Sequence, residues 1–245
     1  MKYIVANWKM NLGIRESVAL ARGTLLALQG KEIVPEVILC PSATALAEVH
    51  KTLARTRMHL GAQNVGPGRS GAFTGEEGVA QLEDVGCKYV ILGHSESRAL
   101  GEGPETIAKK MAAVWESASL TPILCVSEMG ELKSSLSLVK PSRSKKLFLA
   151  YEPTWAIGTG NPATPADAVR ELTALKTELT AIGFSADALV MLYGGSTNAE
   201  NAYSYLREPV IDGLLVGGAS LKVQEITGII NAAHEVITAS PEIWS

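Results

Sequence analysis

The chain has few cysteines, no excess of basic residues and no long apolar run. Its three cysteines, Cys40, Cys87 and Cys125, lack Cys-x-x-Cys spacing, which disfavours a disulfide framework or a zinc knuckle and favours a reducing cytoplasm. The net charge is -3, from 22 basic and 25 acidic residues in a chain of 245. Nucleic acids and acidic membranes are recognised by basic surfaces, so neither is expected as a partner.

Long apolar segments and linkers are also missing. No window approaches about eighteen uninterrupted apolar residues, so the sequence predicts no transmembrane helix. The apolar stretch at residues 1–7 is shorter than the core of a signal peptide, and we expect no secretion signal. No Pro/Ser-rich linker divides the chain, whose length alone allows one or two domains.

Short runs rich in Val, Ile, Leu and Tyr recur along the chain. They do not alternate between polar and apolar residues, and such continuous runs are typical of strands buried on both faces of a parallel sheet. The predicted strands are Tyr3–Ala6, Val37–Cys40, Met58–Ala62, Tyr89–Leu92, Ile123–Val126, Leu147–Tyr151, Leu189–Tyr193 and Gly213–Val216.

Segments with helical spacing lie between these runs. In one of them Thr164 is predicted as the N-cap, Pro165 as the first helical residue and Asp167 as an acid in the first turn. The serine-rich residues 134–146 are interpreted as a short, partly irregular helix and its connection. The predicted helices are Arg15–Gln29, Pro104–Ser117, one that begins at Pro165, and one from about Lys222 to Ile237.

The alternation of strands and helices predicts the fold class. Strand ends recur about every 30 residues, which is the size of one strand–helix–strand unit. Eight units predict an α/β protein with a single (β/α)8 barrel over residues 1–245, with a closed parallel sheet inside and helices outside. The alternative is an open, doubly wound parallel sheet.

Polar residues follow several predicted strands, where barrel enzymes place their active sites. Asn7 and Lys9 follow the first strand, His94 the fourth and Glu152 the sixth. Because all strands of the barrel run in one direction, a lysine, a histidine and a glutamate converge on one mouth. Each has a structural alternative, such as a surface lysine, a packing histidine or a carboxylate in an ion pair.

Seven segments resemble those of the triosephosphate isomerases, in order and at family-like spacing, from residue 3 to about residue 237. The segments are Ala6–Asn11, Gly61–Asn64, Gly71–Glu76, Gly93–Glu96, Ala150–Pro153 with Trp155–Gly160, Tyr193–Ser196 and Val216–Ser220. The resemblance implies interconversion of dihydroxyacetone phosphate and D-glyceraldehyde 3-phosphate through an enediolate, in glycolysis and gluconeogenesis. It implies neither a cofactor nor a metal.

The resemblance also implies a role for each polar residue of the mouth. Glu152 is the base that takes a proton from the carbon beside the carbonyl. His94 is a neutral electrophile, because the start of a helix disfavours a positive imidazole, and Ser95 is expected to cap that helix. Three residues surround the developing charge: Lys9, which offsets it, Asn7, which orients the substrate, and Glu96, which pairs with the lysine.

Small residues after the last three strands are implied to bind the substrate phosphate: Gly158, Ser196, Gly217 and Gly218. Exposed backbone N–H groups suit an anion, and this corner of a barrel often holds one. Residues 153–163 are implied to form a lid. Residues 158–163 also fit the dinucleotide-binding fingerprint, but they follow the sixth unit, and Pro162 interrupts the helix start that a nucleotide site requires.

Residues 63–78 form a long loop with Phe73 and Thr74 at its tip. The resemblance implies that this loop docks into a second subunit near Lys9 and His94, giving a homodimer. The alternative is a mobile surface loop, although long loops in compact domains tend to be functional.

The chain departs from the family pattern in several places. Ser97 stands where an arginine is usual, residues 99–101 are one residue short, and Pro162 occupies the lid hinge. Residues 128–146 are about ten residues short, which implies a shortened fifth helix. A non-catalytic scaffold is therefore one alternative, and a lyase or synthase on another phosphate-binding barrel is a second. Cys125 has no evident activating partner and is expected to be an inert thiol.

Overall fold

A closed barrel of eight parallel strands forms the centre of the structure, a computed structural model that describes residues 1–154 and 163–239. Each strand pairs with the next along the chain, and the eighth pairs with the first. The strands are β1 (Tyr3–Asn7), β2 (Glu36–Cys40), β3 (Met58–Ala62), β4 (Tyr89–Leu92), β5 (Thr121–Val126), β6 (Leu147–Tyr151), β7 (Leu189–Tyr193) and β8 (Gly213–Val216). The closed sheet confirms the predicted barrel and excludes the open doubly wound sheet.

Helices surround the barrel on the outside. They are α1 (Ile14–Leu26), α2 (Leu46–Leu53), α3 (Val79–Asp84), α4 (Ser95–Ala99), α5 (Pro104–Glu116), α6 (Met129–Ser135), α7 (Pro165–Ala181), α8 (Ala202–Leu206) and α9 (Val223–Ala239). Short 3₁₀ turns lie at Ala43–Ala45, Ala186–Ala188 and Gly218–Leu221. Within the two described ranges, none of the helices combines the length and the apolar character needed to cross a membrane.

The continuous apolar strands supply two cores, because successive side chains point to opposite faces of the sheet. In β2, Ile38 and Cys40 belong to the cluster inside the barrel, whereas Val37 and Leu39 pack outward against the helices. The inner cluster consists of Val5, Ile38, Cys40, Ile91, Ile123, Cys125, Phe148, Ala150, Val190, Leu192 and Leu215. A strand buried on both faces therefore carries no polar alternation, as the sequence pattern predicted.

The predicted start of α7 is confirmed by its capping contacts. The hydroxyl of Thr164 accepts a hydrogen bond from the backbone N–H of Asp167, and Pro165 occupies the first turn, where no N–H is required. One residue earlier, the N–H of Ala163 donates to the Tyr193 hydroxyl at 3.1 Å, and its carbonyl accepts from the Tyr205 hydroxyl at 2.5 Å. The N-terminus of α7 is thereby tied to β7 and α8.

The fifth helical unit is short, as predicted, but its helix lies earlier in the chain. Helix α6 has seven residues and ends at Ser135, and residues 136–146 contain turns, bends and irregular chain. This connection is fastened to the end of α5, since the indole N–H of Trp115 donates to the Lys140 carbonyl at 2.8 Å and Lys145 donates to the Trp115 carbonyl. The basic side chain satisfies a carbonyl that the helix end leaves without an internal partner.

Candidate active site

A cavity of about 300 Å³ opens at the carboxyl ends of the barrel strands. Its wall brings together residues that follow β1, β4, β6, β7 and β8. The lining residues are Asn7, Lys9, His94, Glu152, Gly194, Gly195, Ser196, Thr197, Asn198, Asn201, Leu215, Gly217, Gly218 and Ala219. The structure thus places in one cavity the lysine, histidine and glutamate that the sequence put at one mouth.

Glu152 directly follows β6 and is almost completely buried. Its Oε2 accepts a hydrogen bond from the backbone N–H of Ser95 at 2.9 Å, and its Oε1 lies 3.0 Å from His94 Nε2. The side chain is only 3% exposed, so both carboxylate oxygens are held by these neighbours rather than by bulk water. A Cβ on Gly194 would lie 3.0 Å from Glu152 Cγ, so the glycine allows β7 to approach the carboxylate this closely.

His94, and not Ser95, caps helix α4. The His94 Nδ1 atom accepts a hydrogen bond from the backbone N–H of Glu96 at 3.2 Å, whereas the Ser95 N–H points to Glu152. The prediction of a Ser95 cap is wrong because Ser95 is already the first helical residue and its N–H lies at the cavity. The Nδ1 atom of His94 therefore faces the start of helix α4, and its Nε2 atom faces Glu152.

Lys9 lies opposite this pair in an uncommon backbone conformation. Its φ is 53°, in the left-handed region, and non-glycine residues held there store roughly 1–3 kcal/mol of strain. The Lys9 N–H donates to Asn7 Oδ1 at 3.1 Å, and the Lys9 carbonyl accepts from Gln63 Nε2 at 2.9 Å. Its Nζ donates to Glu96 Oε1 at 2.7 Å, which is the pairing expected for Glu96. These contacts fix the direction of the lysine.

Gln63 is a supporting residue for which no role is predicted from the sequence. Its side-chain N–H₂ group bridges the carbonyls of Lys9 and Cys40, each at 2.9 Å, and so joins the ends of β1 and β2. The signal that could have found it is its position, since Gln63 directly follows β3 at the mouth.

The remaining wall of the cavity is built from small residues after β7 and β8. Ser196, Gly217 and Gly218, the residues predicted to bind a phosphate, line it, and Gly158 lies outside the described residues, as does most of the predicted lid. A Cβ on Gly217 would lie 3.2 Å from Lys9 Cε, so the glycine leaves room for the lysine chain. Asn201 Nδ2 donates to the Ser196 carbonyl at 3.3 Å and braces this turn.

Cys125 belongs to the inner core of the barrel and is fully buried. Burial, followed by the nearby Glu152 carboxylate, raises the pKa of the Cys125 thiol well above its ordinary value. Because the thiolate is the nucleophilic form, this environment agrees with the expectation of an inert thiol.

Comparison with known proteins connects this geometry to one family. The family model for triosephosphate isomerase matches residues 2–233. A triosephosphate isomerase of Rhodopirellula baltica is 42% identical, with 94% of this chain and 96% of the relative covered. The enzyme of Symbiobacterium thermophilum is 42% identical over 95% and 96% of the two chains, and that of Aquifex aeolicus is 39% identical over 94% and 98%.

Proposed function

The chain belongs to the triosephosphate isomerase family, and from this premise we propose how its described residues interconvert dihydroxyacetone phosphate and D-glyceraldehyde 3-phosphate. The observation that carries the proposal is the meeting of Glu152, His94 and Lys9 in one cavity. In this cavity the buried carboxylate of Glu152 faces the His94 imidazole and the backbone N–H of Ser95. The reaction is one of glycolysis and gluconeogenesis.

Glu152 acts first, as the base. It removes a proton from the carbon beside the substrate carbonyl, the carbon–hydrogen electron pair forms the enediolate, and the same carboxyl group returns the proton to the neighbouring carbon. Near-complete burial supports this role because few water molecules compete for the carboxylate. The contact with Ser95 orients one oxygen and leaves the other beside His94.

His94 and Lys9 stabilise the charge that appears on the substrate oxygens. When substrate binds, the Nε2–H of neutral His94 donates to the carbonyl oxygen in place of Glu152, and the imidazole moves a proton between the two oxygens of the enediolate. The ammonium group of Lys9 offsets the negative charge, and preorganised charges of this kind act strongly inside a closed site. Asn7 holds the Lys9 backbone and helps orient the substrate.

The phosphate group is proposed to lie against the small residues of the wall. Ser196, Gly217 and Gly218 line the cavity on the side of β7 and β8, and Lys9 supplies the positive charge beside Gly217. Gly158 completes this set in the proposal. Residues without bulky side chains let backbone N–H groups approach an anion.

A coupled assay tests the proposed function directly. Purified protein given D-glyceraldehyde 3-phosphate should form dihydroxyacetone phosphate, which a dehydrogenase and NADH then report as a loss of absorbance. Turnover no faster than the buffer blank would favour a non-catalytic scaffold, the alternative that the altered loops motivate.

The proposal also includes a homodimer formed through residues 63–78. The two arms of this loop are tied together, since Gly66 N–H donates to the Glu77 carbonyl at 2.7 Å and Asn64 Nδ2 donates to Glu76 Oε2 at 3.2 Å. The nearly completely buried Lys110 on α5 also donates to Asn64 Oδ1 at 2.8 Å, which anchors the start of the loop. A preorganised loop with Phe73 48% exposed at its tip is better suited to docking than a mobile loop is.

Replacing the tip residue should separate the subunits. We expect light scattering to give the parent protein a mass of twice 25.9 kDa, and the Phe73→Ser variant the mass of one chain, because the change removes the apolar tip. Leu26→Ser, at an exposed leucine on α1, is the matched control and should stay dimeric. A parent protein that scatters as a single chain would contradict the dimer proposal.

A further inference from the structure

We propose that Arg98 is a positioning residue for the isomerisation, acting through the backbone corner that carries His94 and Ser95. The Arg98 Nε atom donates to the Gly93 carbonyl at 2.6 Å, and Nη2 donates to the Cys125 carbonyl at 3.0 Å. One guanidinium group thus joins the turn after β4 to the end of β5. The proposal rests on the roles given above to His94 and Glu152.

The Gly93 carbonyl controls the direction in which the chain leaves β4. Gly93 has a φ of 64°, and a Cβ there would lie 2.7 Å from Arg98 Nη2, so the guanidinium packs directly on the glycine. The peptide between Gly93 and His94 is planar, and fixing its carbonyl therefore also fixes the start of His94. The next two donors along the chain, His94 Nε2 and the Ser95 N–H, both face the Glu152 carboxylate.

Helix α6 supplies the other contacts of the guanidinium group. Ser135 Oγ accepts from Arg98 Nη2 at 3.3 Å, and Glu131 Oε2 lies 3.7 Å from Arg98 Nε. Glu131 and Ser135 are four residues apart and therefore share one helix face. The same Glu131 oxygen accepts the Ser127 N–H, just after β5, at 2.7 Å. Although α6 is short, it is long enough to include Ser135, its last residue, which completes the Arg98 contacts.

A lysine cannot replace this arginine in the proposed role. The planar guanidinium donates at the same time to two carbonyls, one in the turn after β4 and one in β5, whereas an ammonium group is a compact charge on a flexible chain. In Arg98→Lys the positive charge beside Glu131 is kept, but the simultaneous hydrogen bonds to the Gly93 and Cys125 carbonyls are lost. The Gly93 corner should then be less well fixed, and small displacements of catalytic groups reduce rates strongly.

Kinetics and histidine NMR of Arg98→Lys test the proposal. We expect kcat to fall by a factor on the order of 10–100 with an unchanged KM, because the group acts on the reacting carboxylate and not on the bound phosphate. The ¹⁵N signals of the His94 ring should shift or broaden, which a purely structural role would not cause. Ser135→Ala removes one contact of the guanidinium and should lower kcat and shift the His94 signals less, in the same direction. This second variant tests the proposal even if Arg98→Lys fails to fold.

Arg57→Lys is the matched control. Arg57 also donates to a backbone carbonyl, that of Glu32 at 3.0 Å, but it precedes β3 at the opposite end of the barrel, so kcat and the His94 signals should not change. Unchanged kcat and unchanged His94 signals in a folded Arg98→Lys would overturn the proposal. Inactivity of the parent protein would instead contradict the proposed function. The His94 signals of the parent and of Arg98→Lys would then test the positioning role of Arg98 without kinetics.

Discussion

The Glu152→Gln variant should isomerise D-glyceraldehyde 3-phosphate more slowly than the parent by a factor on the order of 10³–10⁴. The amide has nearly the shape of the carboxylate but cannot take up a proton at neutral pH. Its oxygen can still accept the Ser95 N–H, which in the parent lies 2.9 Å from Glu152 Oε2. The fold should therefore persist while proton abstraction is lost.

Two measurements separate lost chemistry from lost structure. In deuterated water, the parent should exchange the proton beside the substrate carbonyl with solvent, and Glu152→Gln should not, whereas the thermal unfolding midpoints of the two proteins should be similar. Glu83→Gln is the matched control, since this carboxylate also accepts hydrogen bonds, from Ser117 and Ser119, but lies away from the cavity. A kcat for Glu152→Gln close to that of Glu83→Gln would refute the assignment of the base.

The strands could be predicted almost residue by residue because burial on both faces leaves an unambiguous pattern. Strand β5 begins two residues earlier than predicted, at Thr121, where a proline follows, and the other strands agree within one residue. Helix ends were less well predicted. Helix α1 ends at Leu26 and not at Gln29, since amphipathic spacing extends through a terminal turn whether or not the backbone remains helical.

The site could be predicted as a set of residues but not as a set of contacts. Placing Lys9, His94 and Glu152 at one mouth required only the strand order. The cap at His94 was missed because serine is the usual capping residue, and only the turn after β4 decides which side chain receives the Glu96 N–H. The left-handed backbone of Lys9 and the two carbonyl contacts of Arg98 could not be predicted either, because both depend on neighbouring strands.

Lys9→Met should cause the second large loss of activity, with kcat lower by a factor on the order of 10²–10³ or more. Methionine preserves most of the length and the apolar stem of lysine, so it still packs beside Gly217. The backbone contacts with Asn7 and Gln63 involve main-chain atoms of residue 9 and are not removed. What disappears is the positive charge facing the enediolate.

Loss of this charge should also weaken the binding of any anion in the cavity. Inorganic phosphate, used as a competitive inhibitor, should bind Lys9→Met less tightly than the parent, and the KM for the phosphorylated substrate should rise. The freed Glu96 carboxylate is 53% exposed and remains hydrated, so we expect little change in the unfolding midpoint. Lys51→Met, which removes an exposed lysine paired with Glu48 on α2, is the matched control and should behave as the parent does.

The pattern across both kinetic constants identifies what Lys9 does. If the lysine only attracted the phosphate, KM would rise and kcat would stay the same, since substrate and transition state would lose equal binding energy. A fall in kcat together with weaker phosphate inhibition shows that the charge acts on the enediolate as well. Because Nζ is held 2.7 Å from Glu96 Oε1 by a backbone that is itself fixed, the charge is already in place before the enediolate forms, and we expect both effects.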